Sequence, residues 1–162
     1  GITEPSRATR RHGVELGAYW TPLEAVILDA DYSWSHARFT EYDPAGDYIP
    51  GAVETVVSVG LSVQRDTGWF GGARWRYFGP APLIEDNSVR SHSTSTVNAQ
   101  AGYRFSPRLS VMASVFNLFD ADANDISYFY ESQLPNESQP VADIHFHPAE
   151  PRTLRVAATV RF

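Results

Sequence analysis

The sequence contains no cysteine, which excludes disulfides, thiolate metal centres and a cysteine nucleophile. That absence says little about compartment. No run approaches the roughly 18 consecutive apolar residues that a membrane-spanning helix requires, so no segment reads as one. The mean hydropathy of −0.30 still leaves membrane strands open, because a barrel strand divides its side chains between lipid and a polar lumen and averages low. Basic residues are also scarce, 13 Lys and Arg against 19 Asp and Glu for a net charge of −6. A broad basic surface is therefore missing, and with it the counterion release that drives nucleic-acid binding. There is no G-x-S-x-G, and the 5 His stand apart from any serine signature. No catalytic residue and no cofactor is assigned.

What is abundant is aromatic: 9 Phe, 8 Tyr and 4 Trp, residues that favour strands and also anchor proteins at membrane interfaces. Residues 153–162 alternate strictly, with Leu154, Val156, Ala158, Val160 and Phe162 on one face and Thr153, Arg155, Thr159 and Arg161 on the other. Residues 95–105 do the same, as do 26–36 and 53–63. Weaker alternation marks 12–20, 69–78 and 109–118. The pattern predicts an all-β chain, an antiparallel up-and-down meander of about seven strands, each near the 9–11 residues that a tilted strand needs to cross a bilayer.

The predicted connections sort by length. Residues 21–25, 64–68 and 106–108 are short turns, whereas 39–52, 79–94 and 119–151 are long, and the two kinds alternate. A membrane barrel has tight turns at one end and long loops at the other, where binding takes place. Rings near predicted strand ends, among them Tyr19, Trp20, Phe39, Trp69, Phe70, Phe105 and Phe162, fit two aromatic girdles. The competing reading is a soluble β-sandwich, for instance a carbohydrate-binding module, whose half-buried strands alternate in the same way. The two differ in where the apolar rows face.

Residues 115–120 read VFNLFD and the chain ends EPRTLRVAATVRF. Both resemble TonB-dependent outer-membrane receptors, in which an N-L-F-D segment follows the penultimate strand and a last strand with a terminal Phe resembles the assembly signal. RWRYFGPAPLIEDNSVRS (74–91), GYRF (102–105) and the stretch Arg11–Leu16 are similar to strand and loop passages of the same family. The resemblance implies a partial transmembrane β-barrel, the C-terminal portion (1–162) of a larger plugged barrel of about 22 strands. It also implies a Gram-negative outer-membrane location and uptake of a siderophore-like or other scarce solute. The implied partners are outer-membrane lipid, the plug domain and remaining strands, TonB through an N-terminal region, the barrel-assembly machinery and a small-molecule ligand. Leu154, Val156, Ala158, Val160 and Phe162 carry the assembly-signal match.

Asp143, His145 and His147 share one side of an extended segment and, with Arg90 and Tyr130, are the candidate ligand contacts in the long loops. Arg74, Arg76, Arg104, Arg155 and Arg161 fall on the polar face and are the candidate lumen residues, placed to pair with plug acids or an anionic ligand. Asp120, Asp122, Asn124 and Glu131 have the spacing of a calcium loop, but Asp125 stands where the turn needs glycine. The expectation is a solvated acidic loop, and no metal site is assigned.

Overall fold

The computed structural model describes residues 7–162, so the first six residues of the 1–162 segment lie outside it. Among the described residues nine strands follow one another: β1 Thr9–Leu23, β2 Val26–Phe39, β3 Thr55–Val63, β4 Gly68–Phe78, β5 Thr94–Ser106, β6 Leu109–Phe116, β7 Asn124–Ser132, β8 Val141–Pro148 and β9 Thr153–Val160. Seven form one sheet in the order β1-β2-β3-β4-β5-β6-β9, while β7 and β8 pair only with each other. All pairings are antiparallel. The sheet is the expected meander. The β7–β8 hairpin inside the last long loop was not expected as regular strand.

The register keeps the apolar residues on a common face, because a slip of one residue would turn a strand's whole apolar set to the other side, and the short turns choose among alignments two residues apart. One row crosses the whole sheet: Trp20, Leu28, Leu61, Ala73, Ala99, Val115 and Leu154. On the opposite face the next row reads Tyr19, Asp29, Gly60, Arg74 and Asn98. The β1–β2 register slips between Trp20 and Leu23. Pro22 lies inside that gap and has no N–H to give the ladder.

The apolar face has no covering layer among the described residues. Leu16 is 62% exposed, Leu154 65% and Val156 68%, whereas the buried apolar residues among those described are Pro82, Ala37, Ala81, Leu83 and Ala123. Four of those five lie in the long loops. A β-sandwich would bury these rows between two sheets, and the one other sheet is the loop hairpin. A continuous apolar face with no second sheet over it is the arrangement that a transmembrane barrel wall has and a sandwich lacks.

Rings bound this face at both ends. Trp69 packs edge-on against Tyr103 at 5.3 Å and Tyr103 against Phe105 at 4.9 Å near the short turns, while Trp75 and Tyr77 lie toward the long loops. From Phe105 to the level of Tyr77 is ten residues, about 33 Å along the strand and about 25 Å across a membrane at barrel tilt. That is the height of an outer-membrane apolar band. Tyr19, Phe39 and Phe70, expected in the girdles, are on the inner face, because each is an odd step from its outward neighbours in β1 and β2 or, in β4, from Trp69. Position along the strand suggested a girdle, and the two-residue period decides the side.

Candidate functional site

On the inner face the row Asp29–Gly60–Arg74 makes one cross-strand unit. Arg74 Nη2 donates to Asp29 at 2.7–2.9 Å and Nη1 to Ser58 Oγ at 2.8 Å. The pair spans β3, and glycine at the middle position makes room: a Cβ on Gly60 would sit 2.5 Å from Arg74 Nη2. Gly60→Val is therefore expected to break the pair and destabilise the assembled receptor by about 1–3 kcal/mol. The drop in the temperature at which the folded band disappears on a heat-modifiability gel measures it, with Gly17→Ala as a reference on the same face, since a Cβ there meets nothing closer than Asp31 Oδ1 at 3.5 Å.

The other arginines expected on the polar face have separate fates. Arg104 lies 4.9 Å from the Phe70 ring and donates to the Arg65 carbonyl. Arg155 stacks 4.4 Å over Phe116 and pairs with Glu150 at 3.0 Å. Arg161 lies just past the end of β9, where its backbone N–H donates to the Arg108 carbonyl. Arg76 makes no hydrogen bond or ion pair among the described residues. It lines a cavity of about 560 Å³ at the loop end of the inner face, together with Phe78, His92, Asn98, Phe116 and Glu150. Asn124 Oδ1, buried and without a partner, belongs to the same wall.

N-L-F-D is a buckle at the base of the last long loop. Asn117, 5% exposed, receives the Ala121 N–H on Oδ1 at 2.9 Å and donates through Nδ2 to the carbonyls of Ala121 at 2.9 Å and Glu150 at 3.3 Å. Its own N–H donates to Asn98 Oδ1 of β5 at 2.9 Å. Asp120 then accepts the Arg152 N–H at 3.0 Å, so the two ends of the loop are closed on each other. Both residues adopt left-handed backbone, φ 48° and 55°, which Asn and Asp tolerate better than other side-chain-bearing residues. Asp120 is thereby occupied in the chain closure rather than in an ion-binding loop. The resemblance pointed at Asn117 and Asp120; their partners Asn98, Glu150 and Arg152 carried no signal of their own.

Above the buckle, β7 and β8 place Ile126, Tyr128 and Tyr130 opposite His147, His145 and Asp143 on one face. Tyr130 and His145 stack diagonally at 3.9 Å and 12°, and His145 Nε2 is buried without a partner. Asp143, His145 and His147 do share a side, but spaced along the strand they do not converge: no three His, Asp or Glu side chains among the described residues form a metal-holding group. Arg90 is committed elsewhere. It donates to the Pro80 carbonyl at 2.9 Å, to Glu54 at 3.2 Å and to Asn87, which fixes the loop 79–93 against the loop 40–54. In the same loop the Ser88 N–H, 2.9 Å from Asp86 Oδ1, holds that carboxyl below its usual range. Its contribution to loop order is present above the unfolded carboxyl's pKa and is lost as pH falls through the folded one.

An antiparallel wall with one apolar face, one polar face and all long loops at one end is the architecture of a transmembrane β-barrel segment. Residues 3–118 match the family model described as TonB dependent receptor-like, beta-barrel, and the chain belongs to that family. Its fold is similar to that of the ferric yersiniabactin uptake receptor FyuA from Yersinia pestis, with TM-score 0.73 and 21% identity over 95% of this chain and 24% of that one. The ferric citrate transporter FecA in its unliganded form gives 0.72 and 22%, over 95% and 24%. The ferric-catecholate import receptor Fiu from E. coli K12, in its closed form, gives 0.72 and 23%, over 95% and 21%. The chain thus spans about a quarter of the length of these solved proteins. Comparison with curated protein sequences gives no match.

Proposed function

We propose that this chain is the C-terminal wall of a TonB-dependent receptor in the outer membrane of a Gram-negative bacterium, a transporter and not an enzyme. The observation that carries the reading is the uncovered apolar face opposite a face of charged and polar rows. In hydrocarbon, each unpaired backbone group at a sheet edge costs several kcal/mol. The outer edges of β1 and β9 therefore call for the remaining strands of a closed barrel. A plug domain would meet the row of Asp29, Arg74 and Asn98, and TonB would act through that plug. The N-L-F-D buckle and the row Leu154, Val156, Ala158 and Val160, with Phe162, support the final position and an assembly-machinery contact.

The loops supply the ligand vestibule. The Tyr128, Tyr130, His145 and His147 face continues along the hairpin from Ile126, which lines the 560 Å³ cavity together with Arg76. A siderophore-like chelate or another scarce solute suits a site of rings, imidazoles and an arginine. Deleting the receptor gene should abolish saturable, energy-dependent uptake of one member of a panel of ferric citrate, ferric catecholates, haem, cobalamin and nickel chelates. Full-length Tyr130→Ala/His145→Ala should cut that uptake about tenfold while still reaching the outer membrane. Unchanged uptake of the whole panel in the deletion strain counts against transport.

A further inference from the structure

The lipid face carries a basic cluster that the barrel reading does not use. β1 and β2 stay paired for five residues beyond Trp34, where β3 ends its pairing at Thr55, and this projecting hairpin sets His12 opposite His36 and Arg10 opposite Arg38. All four residues share the parity of Val14 and Trp34, which places them on the outer side. The rings confirm it: His12 lies 5.2 Å from His36 and 6.1 Å from Trp34, and Trp34 stacks with His36 at 6.4 Å. Trp34 marks the end of the apolar band. His36 and Arg38 follow it by about 7 and about 13 Å along the strand, the depth at which lipid headgroups begin.

Like charges directly opposite each other destabilise a sheet. The neighbouring loop answers only one strand. Arg38 stacks 3.5 Å over Tyr48 and has Glu54 at 3.6 Å and Asp47 at 3.9 Å, and Glu54 also lies 4.0 Å from His36 and 3.2 Å from Arg90. Arg10 has no acid partner among the described residues, and His12 meets only rings. An outward-facing arginine and imidazole just past the end of the apolar band, exposed and with no acid partner among the described residues, suit an anion from the membrane. We infer that Arg10 and His12, backed by His36 and Arg38, bind the phosphate of an outer-leaflet lipid headgroup. Guanidinium suits this task, since its planar fork of donors matches phosphate oxygens. All 13 basic residues of this chain are arginine.

The test uses the full-length receptor in detergent, titrated with bisphosphorylated lipid A, dephosphorylated lipid A or inorganic phosphate and read by native mass spectrometry. Wild type should bind the bisphosphorylated lipid, and Arg10→Gln/His12→Gln should bind it about tenfold more weakly. Arg11→Gln is the control, since Arg11 is one step away and points inward opposite Ala37. Equal binding by wild type and the double variant, or an equal loss in Arg11→Gln, overturns the site. Dephosphorylated lipid binding as tightly as the bisphosphorylated form removes the phosphate from the proposal, and inorganic phosphate binding as tightly removes the lipid. A heat-modifiability gel shows that each variant is assembled.

Discussion

Alanine at position 117 should loosen the loop 117–152 and cost the assembled receptor about 3 kcal/mol. Three hydrogen bonds of the Asn117 side chain disappear, leaving the Ala121 N–H and the carbonyls of Ala121 and Glu150 without their partner at a position 5% exposed. Alanine also accepts the left-handed φ of 48° less readily than asparagine. Asn117→Gly should recover about 1 kcal/mol of the loss, because it removes the backbone penalty but not the missing bonds. Asn117→Asp should fail like alanine, since a carboxylate keeps the Ala121 N–H but faces two carbonyl oxygens. Limited proteolysis reads the effect: cleavage within 118–151 should appear in the variants under conditions that leave wild type intact. A wild-type digestion pattern and melting temperature for Asn117→Ala would show that the loop is closed by other means.

That buckle illustrates what sequence could and could not reveal. The wall was legible because every strand repeats the same two-residue period and the connections alternate short and long. The result is a register in which Trp20, Leu28, Leu61 and their neighbours align across seven strands. The hairpin was not legible, because β7 and β8 carry large apolar or aromatic side chains on both faces: Tyr128 and Tyr130 on one, Phe129, Ile144 and Phe146 on the other. Without a greasy and a polar side there is no sorted period to read. The stretch from Asp143 to His147 was nonetheless correctly seen as extended.

The arginines show the same limit from another direction. Alternation puts Arg74, Arg76, Arg104 and Arg155 on the polar face, and the ladder sets them opposite Asn98, Thr96, Gly68 and Ser114. It could not say which are committed. Arg74 is neutralised by Asp29, 45 residues away, and Arg90 is tied to Glu54, 36 residues away, while Arg76 is left facing the cavity. Such pairings arise from cross-strand and loop–loop proximity, which a single sequence does not encode locally. The electrostatic character of the vestibule therefore belongs to the fold rather than to any motif.

The strongest separation of lipid from protein as the neighbour of the apolar rows comes from an arginine scan along β3. Leu61 lies between Leu28 and Ala73 in the middle of the band, so Leu61→Arg should destabilise the receptor by about 2–4 kcal/mol. Ser62 is the next residue and lies on the opposite face, the lumen side of the proposed barrel. Ser62→Arg should stay within about 0.5 kcal/mol, since a water-filled interior tolerates charge. The decisive feature is depth: Val57, level with Tyr77 at the band's upper edge, should accept arginine at about 0–1 kcal/mol because its guanidinium can reach the headgroups. A protein core has no such gradient, for an arginine at either position would be sealed in. Denaturant titrations of the full-length receptor refolded into vesicles measure all three variants, and equal, large penalties at Val57 and Leu61 would mean that the wall does not meet lipid.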